Sequence, residues 1–402
     1  MGHRRIAIVG AGHAGGALVR ALRKHGHEGG IVVVGAEPHL PYQRPPLSKQ
    51  VLAGKAGVEE VTLNPASLYE RVAADLVLGR TAVAIDRERR TLSLDDGRTV
   101  EWDGLAIATG ARPRILRLPG HDLPGIHLLR TLDDAVALRD AFRPGARLAV
   151  VGGGYIGLEV AASAALAGLA VTVLEAGPRL MARAVSPVLS AHFLALHRSR
   201  GVDVRLGVGV TGFEGEDGLE AVATSDGRVA ADLAVVGVGA VPETALAEAA
   251  GLAVDDGILV DAFAATSDPA IVAAGDCTRF PSLLYGGRML RLESVQNAVD
   301  QAEAAARTLC GRPEPYQSVP WFWSDQYDAK LQIAGLHDGH DEAFLSGDPA
   351  SGAFSVSYRR DGRLIAVEAV NAPRDYMAAR RTIAAGGAGD VAELVRLPVA
   401  GG

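Results

Sequence analysis

Two short runs of glycine in this sequence share one spacing and one chemical use. Gly10, Gly12 and Gly15 stand in GxGxxG order, and Gly152, Gly154 and Gly157 repeat it. That spacing suits a dinucleotide. The first glycine permits a tight turn, the second lets backbone approach a pyrophosphate, and the third lets helix and strand pack closely. The phosphate charge then meets the amide end of a helix. Each run is followed by an acid, Glu37 or Glu175, where a carboxylate can accept hydrogen bonds from a ribose. Glu175 also bears on the choice of dinucleotide. A carboxylate about 4 Å from a 2′-phosphate charge costs roughly 1–4 kcal/mol. That disfavours NADP by about tenfold or more. Arg179 lies nearby, where it either softens this preference or covers the adenine ring. Two nucleotide sites in one chain imply a flavoprotein that also binds a nicotinamide dinucleotide.

The elements that must hold these glycines are legible around them. Ile6–Val9 is a short apolar run, read as a buried parallel strand; Ala14–Lys24 is helical in composition, and Ile31–Val34 is the next strand. The pattern recurs with strand Arg147–Val151, helix Leu158–Leu166 and strand Val171–Leu174. Further on, Phe354–Tyr358 and Leu364–Val370 alternate apolar and polar residues around Asp361 and Gly362, as an antiparallel hairpin does. Ala378–Ala385 reads as helix.

Composition bounds the rest. The chain has 402 residues, enough for two or three domains. Its formal net charge of -7 argues against nucleic acid as the main partner, because phosphate binding needs a cationic face. Only two cysteines occur, Cys277 and Cys310, and they form no CxxC, so a disulfide scaffold and a cysteine zinc site are excluded. No metal site is expected. A reduced, cytoplasmic setting fits. No signal peptide and no membrane-spanning run are apparent.

Two further segments end strands with polar residues: LAIATGA over Leu105–Ala111, with Thr109 and Gly110, and AAGDC over Ala273–Cys277, with Asp276. An acid at such a strand end can bind ribityl hydroxyls. With the two glycine motifs, this resembles the flavoprotein superfamily that includes glutathione reductase. The resemblance implies an α/β fold of two Rossmann-like dinucleotide-binding domains plus a C-terminal α+β domain. It puts FAD on the first motif and NAD on the second, with an FAD domain (1–111 and 245–317) split by the NAD domain (112–244), and a third domain over 318–402.

A narrower resemblance rests on an ordered set: PYQRPPLSK over Pro41–Lys49, YIGLE over Tyr155–Glu159, ESVQNA over Glu293–Ala298, PWFWSDQY over Pro320–Tyr327 and VNAPR over Val370–Arg374. Together these resemble the ferredoxin reductases of bacterial oxygenase systems, the group of putidaredoxin reductase, rubredoxin reductase and biphenyl-dioxygenase reductase. The resemblance implies NADH as donor, FAD as cofactor and a separate 2Fe–2S ferredoxin as acceptor, feeding a cytochrome P450 or a ring-hydroxylating dioxygenase. It implies a monomer or weak homodimer.

The same resemblance assigns residues. Lys49 and Glu159 pair beside the flavin, with Glu159 also orienting the nicotinamide carboxamide. Arg44 contacts the FAD adenylate. Arg130, in LLRTLDDA, Glu293 and Val295 contact the flavin. Tyr155 and Ile156 belong to the NAD motif. Trp321 covers the flavin where electrons leave. Lys330, Arg359, Arg360, Arg374, Arg380 and Arg381 supply candidates for docking an acidic ferredoxin. The sequence departs from the family at Glu243, where asparagine is frequent.

Relatives that relay electrons through a thiol carry cysteine after the first βαβ unit. Here Gly35–Lys49 contains none. That weighs against an NADH oxidase, peroxidase or disulfide reductase. Monodehydroascorbate reductase, which acts on a small radical, remains an alternative from motifs alone. An apoptosis-inducing-factor-like role with nucleic acid sits poorly with the net charge.

Overall fold

A computed structural model describes residues 5–388 and 395–397. The chain divides into two compact units. One comprises Met1–Gln43, Glu59–Arg112 and Val241–Pro320; the other comprises Arg44–Val58, Pro113–Ala240 and Trp321–Gly402.

The first unit is organised by a five-stranded parallel sheet. Its order is Ile271–Ala273, Gly104–Ile107, Arg5–Val9, Gly30–Gly35, Ala74–Leu78. Ile6, Ala7, Ile8, Leu105, Ala106 and Ile107 are wholly buried. A strand covered on both faces shows such a continuous apolar run rather than alternation. Helix His13–Lys24 follows the first strand and packs against helix Val295–Leu309. Ala14, Ala17 and Leu18 of the former share a core with Ala298, Ala302 and Ala305 of the latter. Alanine on both faces lets the helices approach closely. Glu303, midway along the second helix, pairs with Lys24 at the end of the first at 2.7 Å.

The second unit is organised by two larger sheets, beside a small three-stranded one of Val210–Glu214, Ala221–Thr224 and Gly227–Ala230. A parallel sheet runs in the order Asp203–Leu206, Ala170–Glu175, Arg147–Val151, Leu233–Val236, Ile126–His127. An antiparallel sheet runs Trp321–Gln326, Ala329–Gly335, Arg363–Val370, Ala353–Arg360, Glu342–Asp348, Val395–Leu397. Helix Pro373–Ala384 accompanies it. One core joins both sheets. Leu148, Val150 and Leu158 cluster with Leu331, Val356 and Tyr358. The architecture is therefore the α/β one expected: two parallel, Rossmann-like sheets and a C-terminal antiparallel sheet. The hairpin expected around Asp361 and Gly362 is present and longer than its alternation suggested. The second nucleotide helix begins at Tyr155 rather than Leu158.

Close approach makes one glycine in each nucleotide motif obligatory. A Cβ on Gly15 would stand 1.9 Å from the Gly10 carbonyl oxygen, and one on Gly157 would stand 2.2 Å from that of Gly152. Backbone cannot yield as a flexible side chain does. At Gly154, by contrast, a Cβ would meet nothing within 4 Å. Gly157→Ala is therefore expected to destabilise the second unit by about 3 kcal/mol, and Gly154→Ala by less than about 0.5 kcal/mol. Apparent denaturant midpoints of the two variants check this; equal midpoints would contradict the packing assigned to Gly157.

Candidate functional site

The first nucleotide site is built in the first unit from strand ends and one helix terminus. Gly12 is the N-cap of helix His13–Lys24 and supplies no side-chain cap. A Cβ there would meet nothing within 4 Å, so the space before the amide groups is open. Glu37 lies just past strand Gly30–Gly35, and its carboxylate accepts a hydrogen bond from the Tyr42 hydroxyl at 2.6 Å. The Thr109 hydroxyl donates to the Glu243 carbonyl at 2.6 Å, and the Glu243 amide donates to the Gly110 carbonyl at 2.9 Å. Glu243 thus works through its backbone, while its side chain pairs with Arg112 at 3.1 Å. A change of side chain from the family's asparagine leaves that backbone role intact. Gln301 fixes the loop before Asp276 by accepting from the Gly275 amide at 2.8 Å. Val295 opens its helix, and Glu293, before it, pairs with Arg291.

The second site repeats the plan in the second unit. Gly154 caps helix Tyr155–Leu166 without a side-chain bond and faces open space. Glu175 ends its strand, and its two carboxylate oxygens accept from the Gly153 amide at 2.7 Å and the Gly177 amide at 2.6 Å. These bonds fix the carboxylate beside the glycine turn. Arg179 is committed elsewhere. Its guanidinium donates to the Val185 and Ala182 carbonyls, each at 2.6 Å, and to the Ser190 hydroxyl at 2.8 Å. Ile156 stands 45% exposed on the first turn, a position for contact rather than core. An open, uncapped helix terminus with a fixed acid beside it fits a pyrophosphate and a ribose in both units.

The third cluster lies wholly in the second unit. Lys49 sits in a single π-helical turn, Leu47–Val51, after Pro45 and Pro46. Such turns are rare and recur at functional sites. Its ammonium meets the Glu159 carboxylate at 2.7 Å. Glu159 is only 3% exposed. The same oxygen accepts from the Ser48 hydroxyl, and the other accepts from the Ser324 hydroxyl at 2.7 Å. The Ser163 hydroxyl, one helical turn beyond Glu159, holds the Ser48 carbonyl at 2.7 Å. Arg44 donates to the Arg130 carbonyl, and Arg130 precedes the Thr131 capping box of helix Leu132–Ala141. Trp321 and Trp323 lie on one face of their strand with ring centroids 5.5 Å apart, and the Arg380 guanidinium lies 5.1 Å over Trp321.

Sequence reasoning paired Lys49 with Glu159, and the structure brings them together. Ser48, Ser324 and Ser163 join them without any motif that marks them in the sequence. Their signal was slight: Ser324 and Gln326 alternate with Trp323 and Asp325 in an otherwise aromatic strand. Cys277 is fully buried, and burial pushes its thiol pKa up, away from the thiolate that relay chemistry needs. Cys310 is raised by burial too. Both cysteines are free thiols.

Residues 4–302 match the model of the pyridine nucleotide-disulphide oxidoreductases, and residues 321–397 match the reductase C-terminal model. The chain belongs to the pyridine nucleotide-disulphide oxidoreductase family. Within that family it is 47% identical over 381 residues to rhodocoxin reductase of Rhodococcus erythropolis, covering 94% of this chain and 89% of that one. It is 44% identical over 392 residues to the ferredoxin–NAD(+) reductase component of the anthranilate 1,2-dioxygenase system of Burkholderia cepacia, covering 97% and 96%. The crystal structure of the covalent putidaredoxin reductase–putidaredoxin complex matches with a TM-score of 0.92 at 42% identity, covering 95% of this chain and 93% of that one. Among the described residues no helix is long and apolar enough to cross a membrane.

Burial also sets one titration. His197 has no exposed surface, and desolvation holds its pKa below the usual 6.5. A depressed pKa favours the neutral form in the folded chain. Its stabilising contribution is complete above about pH 6.5 and is lost as pH falls below that value. Stability is therefore expected to drop between pH 7.5 and pH 5.5, and to drop less in His197→Gln, which cannot take the proton. Denaturant midpoints at the two pH values test this; an equal drop in both proteins would contradict it.

Proposed function

We propose that this family member is an NADH-dependent FAD reductase that passes electrons singly to a 2Fe–2S ferredoxin serving an oxygenase. The observation that carries this reading is a pair of complete dinucleotide cradles in a chain whose two thiols are unsuited to relay. The relatives named above are themselves reductases of ferredoxin-type carriers, which supports the acceptor. We assign FAD to the Gly10–Gly15 motif with Glu37, and NADH to the Gly152–Gly157 motif with Glu175. Residues 1–111 with 245–317, 112–244 and 318–402 are the FAD, NAD and partner-docking domains of this reading. The enzyme works in the cytoplasm as a monomer or weak homodimer.

FAD, when bound, would supply the chemistry that couples a two-electron nicotinamide donor to a one-electron acceptor. The chain supplies position and charge. Gly12 and Gly154 leave room for pyrophosphate at their helix ends, and Glu37 and Glu175 receive ribose hydroxyls. Thr109, Gly110, Asp276, Glu293 and Val295, all in the first unit, seat the flavin nucleotide. Lys49 holds a fixed positive charge where negative charge develops, and such preorganised charge needs no rearrangement during reaction. Glu159 keeps that ammonium in place and orients the nicotinamide amide. Trp321, stacked beside Trp323 and under Arg380, marks the exit toward the ferredoxin.

Two measurements test the assignment. Cytochrome c reduction by the holoenzyme and NADH should rise at least tenfold when a 2Fe–2S ferredoxin is added, on the order of the gain a specific carrier gives over random encounter. NADH turnover by oxygen or disulfides alone, indifferent to ferredoxin, would remove the proposal. Glu175→Gln should narrow the NADH over NADPH preference in kcat/KM by about tenfold. An unchanged ratio refutes the role given to Glu175.

A further inference from the structure

The Glu159 carboxylate is the end of a longer series of hydrogen bonds that the hydride chemistry does not itself require. The Ser324 hydroxyl donates to it at 2.7 Å. The Gln326 amide nitrogen donates to the Ser324 oxygen at 3.2 Å. The Gln326 carbonyl oxygen stands 2.9 Å from His197 Nε2, and the Tyr327 hydroxyl stands 3.4 Å from His197 Nδ1. Ser324, Gln326 and His197 have no exposed surface.

Matching periods explain why these groups meet. Residues two apart on a strand lie about 6.6 Å apart on one face, and residues four apart on a helix are separated by about 6.0 Å along one stripe. Phe322, Ser324 and Gln326 share a strand face. Tyr155 and Glu159 share a helix stripe. Phe322 stacks on Tyr155 with centroids 4.5 Å apart, so Ser324 falls on Glu159. Gln326, two residues further along that strand face, meets His197 instead, on helix Pro187–Ser199. Tyr327 turns back to the other ring nitrogen from a left-handed backbone position, φ +55°, that non-glycine residues seldom adopt. The Arg200 guanidinium over its ring, at 5.2 Å, and the Arg200–Asp328 pair at 2.9 Å close the outer end.

The donors along this path have one consistent direction. A carboxylate paired with Lys49 can only accept, so Ser324 must donate to it. The Ser324 oxygen then accepts from the Gln326 amide nitrogen, which turns the Gln326 carbonyl toward His197. That carbonyl requires a proton on Nε2, and a neutral imidazole then leaves Nδ1 to accept from Tyr327. Burial keeps His197 neutral and pushes the Tyr327 phenol up to about 12, so both remain in the forms the path needs. Hydrogen bonds aligned head to tail in a dry interior polarise one another.

We propose that Tyr327, His197, Gln326 and Ser324 form a directional hydrogen-bond chain that orients the Glu159 carboxylate opposite Lys49, and that Ser324, Gln326 and His197 are positioning residues for hydride transfer. The proposal rests on the assignment of Lys49 and Glu159 to that step. It makes the first strand of the C-terminal sheet part of the electron-entry machinery. The chain does not move protons, since an amide at its centre has no proton to pass on at ordinary pH.

Two readouts test it on the holoenzyme. Histidine-labelled protein, with the His197 signal assigned by its loss in His197→Gln, should show by nitrogen NMR the Nε2-protonated tautomer at pH 7.5, and Gln326→Met should release it to a mixture. In anaerobic stopped flow, Ser324→Ala should slow flavin reduction by NADH roughly tenfold and Gln326→Met roughly threefold, with the NADH Kd changed less than about twofold. An Nδ1-protonated His197 in the unmodified enzyme overturns the chain. So does a Ser324→Ala enzyme that reacts at the full rate while Glu159→Gln is slow. If Glu159→Gln also reacts at the full rate, the assignment beneath the chain falls with it.

Discussion

Glu159 is a carboxylate taken almost wholly out of water, and segments distant in sequence meet within the second unit to compensate it. An unpaired charge so placed is expensive, and breaking a buried pair by removing one partner typically costs about 3–5 kcal/mol. The Lys49 ammonium and the hydroxyls of Ser48 and Ser324 compensate it directly, and Ser163 does so indirectly through the Ser48 carbonyl. Ser48 and Lys49 lie 111 and 110 residues before Glu159, and Ser324 lies 165 after it. One charge therefore fastens the Leu47–Val51 turn, a nucleotide-binding helix and the first strand of the antiparallel sheet to each other. This explains why residues 44–58 belong to the second unit although their sequence neighbours on both sides belong to the first.

Around that charge the chemistry divides cleanly between backbone and side chain. Pyrophosphate asks for amide groups, open space and a helix terminus, and glycine supplies all three by having no side chain. The proposed hydride transfer asks for a fixed positive charge, the role assigned above to Lys49 on its π-helical turn. What the family's name emphasises, a disulphide, has no counterpart here. Cys277 is a small buried residue, and desolvation weakens its thiol as an acid. The exit proposed above is aromatic and cationic instead: Trp321 and Trp323 share one strand face, and Arg380, from helix Pro373–Ala384, lies over Trp321.

Much of this was legible because local rules produce it. Gly10–Gly15 and Gly152–Gly157 announce their turns through spacing, and strand Arg147–Val151 ends where its apolar run does. The start of the Tyr155 helix is poorly marked in the sequence, because a first turn containing Gly157 carries weak helical propensity. The Leu47–Val51 turn was not foreseen at all, since no common pattern encodes a π-helical turn. Ser48, Ser324, Gln326 and His197 were invisible for a different reason. A serine or glutamine has the same appearance whether it faces water or a buried carboxylate, and only the fold decides which. The Glu342–Asp348 strand likewise declares itself only through its neighbours in the sheet.

In the proposed reaction electrons enter as hydride and leave to a protein carrier, with no thiol store in between. Anaerobic titration of the oxidised holoenzyme with NADH, followed by flavin bleaching, measures that store directly. With FAD as the sole two-electron acceptor, about one equivalent of NADH per FAD should complete the bleaching. A requirement for about two equivalents, the capacity of a flavin plus a reducible disulfide, would contradict it.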